Sequence, residues 1–127
     1  MSKNEKGFTL IEIIAVLVIL GILAAVAVPR YLDLTAEARR NAAQTALAEL
    51  KGRASNIYAY QLLTTGSSSC AQVASALGTS ISAQSLGDFT VPTSYSCAAN
   101  AIALSVSQVK AVALSPAVTG TWYYPHP

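Results

Sequence analysis

Glu12 is the only ionisable residue in an otherwise apolar stretch that runs from Phe8 to Val28. Leu, Ile, Val and Ala fill nearly all of this stretch, and Thr9 and Gly21 are its other interruptions. A carboxylate inside a bilayer costs about 2.5 to 3.5 kcal/mol on insertion scales, and residues of this kind are usually functional. The position therefore predicts pairing with a cation. The alternative is a glutamate that is merely tolerated near the membrane interface.

Cys70 and Cys97 are the only two cysteines, and both lie far from the apolar stretch. In an oxidising compartment an even number of cysteines indicates a disulfide. Closing this loop would stabilise a small domain by roughly 3 to 4 kcal/mol on the chain-entropy model. Two unpaired buried thiols are the alternative. Neither cysteine has a histidine or a second cysteine at metal-ligand spacing, so the sequence predicts no metal site.

Enzyme chemistry has little support in this sequence. The single histidine, His126, lies in a terminal Pro-His-Pro, and a catalytic triad that combines it with Asp88 or Asp33 is disfavoured. Zinc-protease, P-loop, dinucleotide-binding and paired-cysteine zinc motifs are absent from the sequence. We therefore expect a protein that is not an enzyme and that carries no catalytic residue and no cofactor.

The charge of the chain also limits its partners. The net charge is +2 and only 11% of the 127 residues are charged. The nearest approach to a basic patch is interleaved with Glu37 and Glu49, and consists of Arg39, Arg40, Lys51 and Arg53. This pattern indicates a solvated helix face, and nucleic acid is not an expected partner.

The apolar stretch has the length of a membrane-spanning helix. At about 1.5 Å per residue, Phe8 to Val28 would cover roughly 30 Å, the thickness of a hydrocarbon core. A short charged segment with Lys3 and Lys6 precedes it, which favours a cytoplasmic amino terminus. An ordinary secretory signal has a shorter apolar region that is followed by a cleavage site, and Pro29 makes such a cut unfavourable here.

The residues Lys6-Gly7-Phe8-Thr9-Leu10-Ile11-Glu12 resemble the processing motif of type IV prepilins and of the related pseudopilins. The resemblance continues through Gly21 and Pro29 and covers about the first half of the chain. It implies that a prepilin peptidase cuts between Gly7 and Phe8 and methylates the new amino terminus. The ammonium group of Phe8, in the same chain or in a neighbouring one, would then be the partner of Glu12 during assembly.

Pro29 and Gly21 mark a weak part of the predicted helix, because proline removes a backbone donor and glycine lowers helix propensity. We expect a local bend there, and the resemblance implies that helical order is lost in this segment inside a filament. An amphipathic helix should continue to about Leu63, with an apolar stripe at Tyr31, Leu34, Ala38, Ala42, Leu47, Leu50, Ala54, Ile57 and Gln61.

The remaining sequence predicts a small outer domain. Ser69 should cap a short helix that runs through Leu77 and is closed by Gly78, and the chain from Ser80 to Ser96 should be a loop. Alternation in Ala101 to Ser107 predicts a strand with Ile102, Leu104 and Val106 on one face. Further strand candidates are Val109 to Leu114 and Val118 to Tyr124.

The expected fold class is α+β, with a long amino-terminal helix packed on a small antiparallel sheet as in type IV pilins. The expected divisions are a cleaved leader (1–7), a membrane-spanning and polymerising helix (8–28), its amphipathic continuation (29–64) and the outer domain (65–127).

These features together predict a structural subunit of an extracellular filament that serves adhesion, motility or surface contact. The precursor would reside in the inner membrane, and its partners would be other copies of itself, the prepilin peptidase and an inner-membrane assembly platform. One alternative is a pseudopilin of a secretion or DNA-uptake system. The candidate disulfide and the lack of an acidic loop favour the pilus, by resemblance. Another alternative is a monomeric, membrane-anchored binding module that keeps its leader.

Overall fold

The computed structural model describes residues 7–83 and 86–125. They form two helices, α1 (Leu10–Thr65) and α2 (Cys70–Ala83), and four strands, β1 (Phe89–Thr90), β2 (Cys97–Ala98), β3 (Ala101–Val109) and β4 (Val112–Tyr123). The chain divides into two compact units between Glu37 and Ala38, so α1 contributes to both. A long apolar helix and a small antiparallel sheet confirm the α+β class predicted from the sequence.

In the second unit, α1 buries one stripe of small and aliphatic side chains. The fully or nearly buried members are Ala43, Ala46, Leu47, Leu50 and Ala54. This confirms the predicted stripe from Leu47 to Ala54, whereas Tyr31 and Leu34, its first two members, are 68% and 69% exposed. Gly66 follows the helix with φ +71°, and its N–H donates to Leu62 O at 3.0 Å. The sequence therefore placed the end of α1 correctly, because glycine adopts this left-handed conformation without strain.

The sheet is built around β3. β4 pairs with β3 along one side, from Ala101↔Tyr123 to Val109↔Val112, and the short strands β1 and β2 pair with the two ends of its other side. Ile102, Leu104 and Val106 are buried, as their alternation predicts. A register shift between Val106 and Gln108 then changes the phase, so that Val109 is buried as well.

Within the second unit, Trp122 on β4 contacts α1. Its side chain is 7% exposed, and its Nε1–H donates to Ser55 Oγ at 3.0 Å. The ring centroids of Tyr58 and Tyr124 lie 6.4 and 6.3 Å from that of Trp122. Tyr124 also donates its hydroxyl to Ser68 O at 2.8 Å, beyond the end of α1. These contacts fix the strand end on the helix, because indole and phenol groups combine apolar area with one directed hydrogen bond.

The predicted strand from Val109 to Leu114 is wrong, because a turn occupies Lys110 and Ala111. Both residues have positive φ, 50° and 61°, as do Ala99 and Asn100 between β2 and β3. Tight hairpins need this conformation at both central positions, and glycine is its usual signal. Neither turn contains glycine, so the sequence pattern did not indicate them. The two predicted strands after Val109 are instead one strand, β4.

The predicted end of the second helix at Gly78 is also wrong. Ser69 caps α2 as expected, with Oγ accepting from the Gln72 N–H at 3.3 Å, but the helix continues to Ala83. A Cβ built on Gly78 would lie 2.7 Å from the backbone oxygen of Thr93. Gly78 therefore permits a close approach of the following segment and does not end the helix.

The close approach of Thr93 to Gly78 predicts that alanine has opposite effects on stability at two helical glycines, Gly78 and Gly52. Gly78→Ala should lower the free energy of unfolding by about 1 to 3 kcal/mol, because the Cβ forces two backbone segments apart. Gly52→Ala is the matched control, because nothing lies within 4 Å of a Cβ at that position of α1. It should raise stability by about 0.5 to 1 kcal/mol through helix propensity. Urea unfolding of the full chain in detergent measures both, and equal shifts for the two variants would contradict the packing role of Gly78.

Candidate functional site

The amino-terminal part of α1 presents apolar side chains in all directions. Phe8, Leu10 and Ile11 are 85%, 80% and 70% exposed, and the other large apolar side chains as far as Val28 are also exposed. A helix that is apolar on every side is normally surrounded by lipid or by other protein. An 18-residue window of this helix has a mean hydropathy of 3.0, and none of that window is buried. Within the described residues, α1 is the one helix whose length and composition would allow it to cross a membrane.

Glu12 lies in the first turn of this helix and makes a reciprocal pair of contacts with Thr9. The backbone N–H of Thr9 donates to Glu12 Oε2 at 2.8 Å, and Thr9 Oγ1 accepts from the Glu12 N–H at 3.4 Å. This is a capping box, in which each side chain satisfies a backbone donor of the other residue. Our sequence analysis missed this role of Thr9, although the signal was present in the Thr-x-x-Glu spacing.

The cap leaves Glu12 able to bind a cation. An ionised carboxylate has about four acceptor positions, and the Thr9 N–H accounts for one of them. Gly7 and Phe8 precede the helix, and Phe8 is exposed. The structure therefore brings Phe8, Thr9 and Glu12 together at one helix end. Cleavage between Gly7 and Phe8 remains a prediction, and residues 1–6 of the expected leader lie outside the described residues.

Gly21 and Pro29 lie inside α1, which is helical at both positions. The expected bend and the loss of helical order within a filament therefore remain predictions. Downstream on the same helix, Arg53 Nε and Glu49 Oε1 form an ion pair at 2.9 Å. This pair fits the interpretation of the interleaved charges as a solvated helix face.

The structure joins Cys70 and Cys97 in a disulfide. Cys70 is the first residue of α2 and is 6% exposed, and Cys97 begins β2 opposite Ile102. The predicted disulfide thus links the start of the second helix to the sheet. Asp88 and Lys110, the only formal charges after Arg53, face each other with Oδ2 and Nζ 3.8 Å apart.

Tyr95 has a buried hydroxyl that no sequence pattern indicated. Its Oη is the one buried side-chain polar atom without a hydrogen-bond partner among the residues that the structure describes. Burial raises the pKa of this phenol above its ordinary value, because the charged form is disfavoured away from water. His126, considered for a catalytic triad, lies outside the described residues. Within residues 7–83 and 86–125, no cluster of three or more His, Cys, Asp or Glu side chains could hold a metal ion.

The unpaired hydroxyl predicts that Tyr95→Phe leaves stability unchanged or raises it by up to about 1 kcal/mol, because a buried donor without a partner is unfavourable. It also predicts a pH effect. The folded state holds the phenolic proton more tightly than the unfolded state, so this contribution to stability is present below pH 10 and is lost as the pH rises further. Urea midpoints at pH 8 and at about pH 11 should therefore differ more in the wild type than in Tyr95→Phe. An equal alkaline loss in both proteins would contradict this assignment.

Comparison with known proteins adds an independent observation on the amino-terminal site. The model of the prokaryotic N-terminal methylation motif matches residues 2–28. The chain carries a prokaryotic N-terminal methylation motif. The match contains Gly7, Phe8, Thr9 and Glu12, the residues that the structure places before and at the start of α1.

Several known proteins are similar to the chain over part of its length. The fimbrial protein of Pseudomonas aeruginosa is 49% identical over 49 residues, which cover 39% of this chain and 32% of that protein. The type IV narrow pilus major component PilA5 of Thermus thermophilus is 60% identical over 37 residues, 29% of this chain and 32% of PilA5. The type IV major pilin protein PilE1 of Neisseria gonorrhoeae is 59% identical over 39 residues, 31% of this chain and 24% of PilE1.

The chain thus spans at most 32% of the length of each of these three relatives. No solved structure matches it. Each of these similarities covers at most 39% of this chain.

Proposed function

We propose that this protein is a pilin, a structural subunit of an extracellular type IV pilus-like filament. The observation that carries the proposal is an exposed helix end that is apolar except for Thr9 and Glu12, shortly after the predicted cleavage point and within the N-terminal methylation motif. The names of the relatives, which include pilus and fimbrial subunits, support the same interpretation.

In this proposal the apolar helix has two successive environments. Before assembly it lies in the inner membrane with its amino terminus in the cytoplasm, where lipid covers the exposed Leu, Ile and Val side chains. Afterwards the same side chains pack against other copies in the filament. Both environments remove the same apolar area from water, at about 25 cal/mol per Å², so the transfer from lipid to filament requires little net apolar exposure.

The carboxylate of Glu12 would provide the directed contact during assembly. Prepilin peptidase would cut after Gly7 and methylate the new amino terminus at Phe8, leaving an ammonium group one residue before the Thr9 cap. In a medium of low dielectric constant, this charge attracts the carboxylate of its own chain or of a neighbouring one. The inner-membrane assembly platform would then extract subunits whose charges have paired.

The test is the intact mass and amino-terminal sequence of protein from sheared cell-surface material, measured with and without reduction. A chain that starts at methylated Phe8, and that gains the mass of two hydrogens on reduction, is the expected result. Cleaved protein that stays in the cell envelope, with none in the sheared material, would point to a pseudopilin. An uncleaved chain that starts at Met1 and remains monomeric in the membrane would contradict the filament proposal.

A further inference from the structure

Four exposed charged side chains follow the apolar part of α1 and share one face of that helix: Arg30, Asp33, Glu37 and Arg40. Residues seven apart are nearly in line on a helix, because two turns contain about 7.2 residues. The face therefore carries two parallel rows of two charges. Arg30 and Glu37 form the first row. Asp33 and Arg40 form the second row, which lies about 60° away around the helix axis.

The structure shows no partner for these four side chains among the residues that it describes. None of the four forms an ion pair or a side-chain hydrogen bond there. Ion pairs along one helix are possible at a spacing of three or four residues, as Glu49 and Arg53 show. Asp33 and Glu37 are instead a like-charged pair four residues apart, which destabilises an isolated helix. The charges of this face are therefore available to a partner.

The two rows are complementary to each other. Along the chain, the first row carries a positive and then a negative charge, and the second row carries a negative and then a positive charge. When two parallel copies lie side by side, Arg30 of one copy can meet Asp33 of its neighbour. In the same arrangement Glu37 meets Arg40, because both rows have the same spacing. The neighbour is then displaced along the helix axis by three residues, about 4.5 Å.

The contact proposed for Glu12 requires nearly the same displacement. If the ammonium group of Phe8 binds Glu12 of a neighbour, that neighbour is displaced by four residues in the same direction. The difference of one residue is about 1.5 Å along the axis, which a flexible arginine side chain can span. Two separate parts of α1 thus favour one axial position. The exposed Leu, Ile and Val side chains between them specify position poorly, because apolar contact is not directional.

We propose that the two rows bind each other between neighbouring copies of the chain and set the axial position of each copy in the filament. The first row of one copy binds the second row of the next. Because the contact joins two different surfaces of the molecule, each added copy presents a row to a further copy, and assembly continues as an open filament. Displacements that bring Glu37 to Asp33, or Arg30 to Arg40, place like charges together and are disfavoured. This inference rests on the proposed filament function.

The experiment reverses one row at a time and measures the protein in sheared surface material and in the membrane. Arg30→Glu/Glu37→Arg reverses the first row, and Asp33→Arg/Arg40→Asp reverses the second. Either variant alone places like charges at every contact, so we expect at least about a tenfold loss of surface filament with a wild-type amount of protein in the membrane. When both variants are expressed in one cell, surface filament should return to within about twofold of the wild type, because each row then finds a complementary row on the other variant.

Rescue by joint expression separates contacts between copies from ion pairs along one helix, because a second variant cannot repair like charges within the helix of the first. Tandem mass spectrometry of the sheared material should find both variants. Asp88→Lys/Lys110→Asp is the matched control, because it exchanges an exposed charge pair outside α1 and should assemble like the wild type.

Two results would overturn the row contact while leaving the filament function intact. One is wild-type filament from either row variant alone, and the other is failure of joint expression to restore filament that each variant has lost. Absence of filament from the wild type itself would overturn the filament function, and the row contact with it.

Discussion

Replacing Glu12 by glutamine is expected to reduce surface filament at least about 100-fold while leaving the precursor in the membrane. A carboxylate and an ammonium group 4 Å apart attract by about 4 kcal/mol at an effective dielectric constant of 20. That energy corresponds to almost three orders of magnitude in an association constant. The amounts of the protein in the sheared and membrane fractions measure the effect, and the intact mass shows whether the leader has been removed.

This substitution separates the two roles that the structure gives to Glu12. Glutamine can still serve in a capping box, so Glu12→Gln removes the charge and keeps the contact with the Thr9 N–H. Thr9→Ala is the complementary variant, because it removes the hydroxyl of the cap and keeps the carboxylate. We expect Thr9→Ala to destabilise the amino-terminal turn of α1 by about 1 kcal/mol. This variant should still assemble into filaments. Normal assembly of Glu12→Gln together with failure of Thr9→Ala would show that the cap, and not the charge, matters.

Removal of the disulfide is the second change for which we expect a large effect, in this case on stability. Cys70→Ala/Cys97→Ala should lower the free energy of unfolding of the outer domain by roughly 3 to 4 kcal/mol, because the unfolded chain regains the entropy of an open loop. The bonded cysteines are separated by 27 positions in the sequence. With the urea slope of a small protein, about 1 to 3 kcal/mol per M, the unfolding midpoint should fall by roughly 1 to 4 M.

Trp122 offers a direct measurement of this effect. It is the only tryptophan and is 7% exposed in the second unit, so its fluorescence reports unfolding there. The matched control is reduction of the wild type, which should reach the same midpoint as the double variant without any change of side-chain packing. If reduction leaves the wild-type midpoint unchanged, the disulfide does not stabilise this domain.

The sequence was most informative where a signal is local. The length of the apolar stretch, the single carboxylate at Glu12 and the Gly66 helix end each depend on neighbouring residues alone. Alternation likewise identified Ile102, Leu104 and Val106 as one buried face, because side chains of a strand alternate between its two faces whatever it packs against.

The sequence was misleading where a residue type has more than one structural use. Gly78 resembled a helix terminus but serves a close approach to Thr93. The turn at Lys110 and Ala111 lacks glycine, and both residues have positive φ, which they do not favour. The pairing of β3 with β4 enforces this conformation. In each case a contact with a distant part of the chain decides the local structure.

Local sequence alone indicates a helix suited to lipid or to other copies of the chain, a charge within that helix and a pair of cysteines. Hydrophobic length, charge and residue type are properties of the chain before it folds. The folded structure was needed to show that Trp122 reaches Ser55 and that the disulfide links the start of α2 to β2. These depend on distances between side chains and backbone groups, most of them far apart in sequence, and packing alone sets such distances.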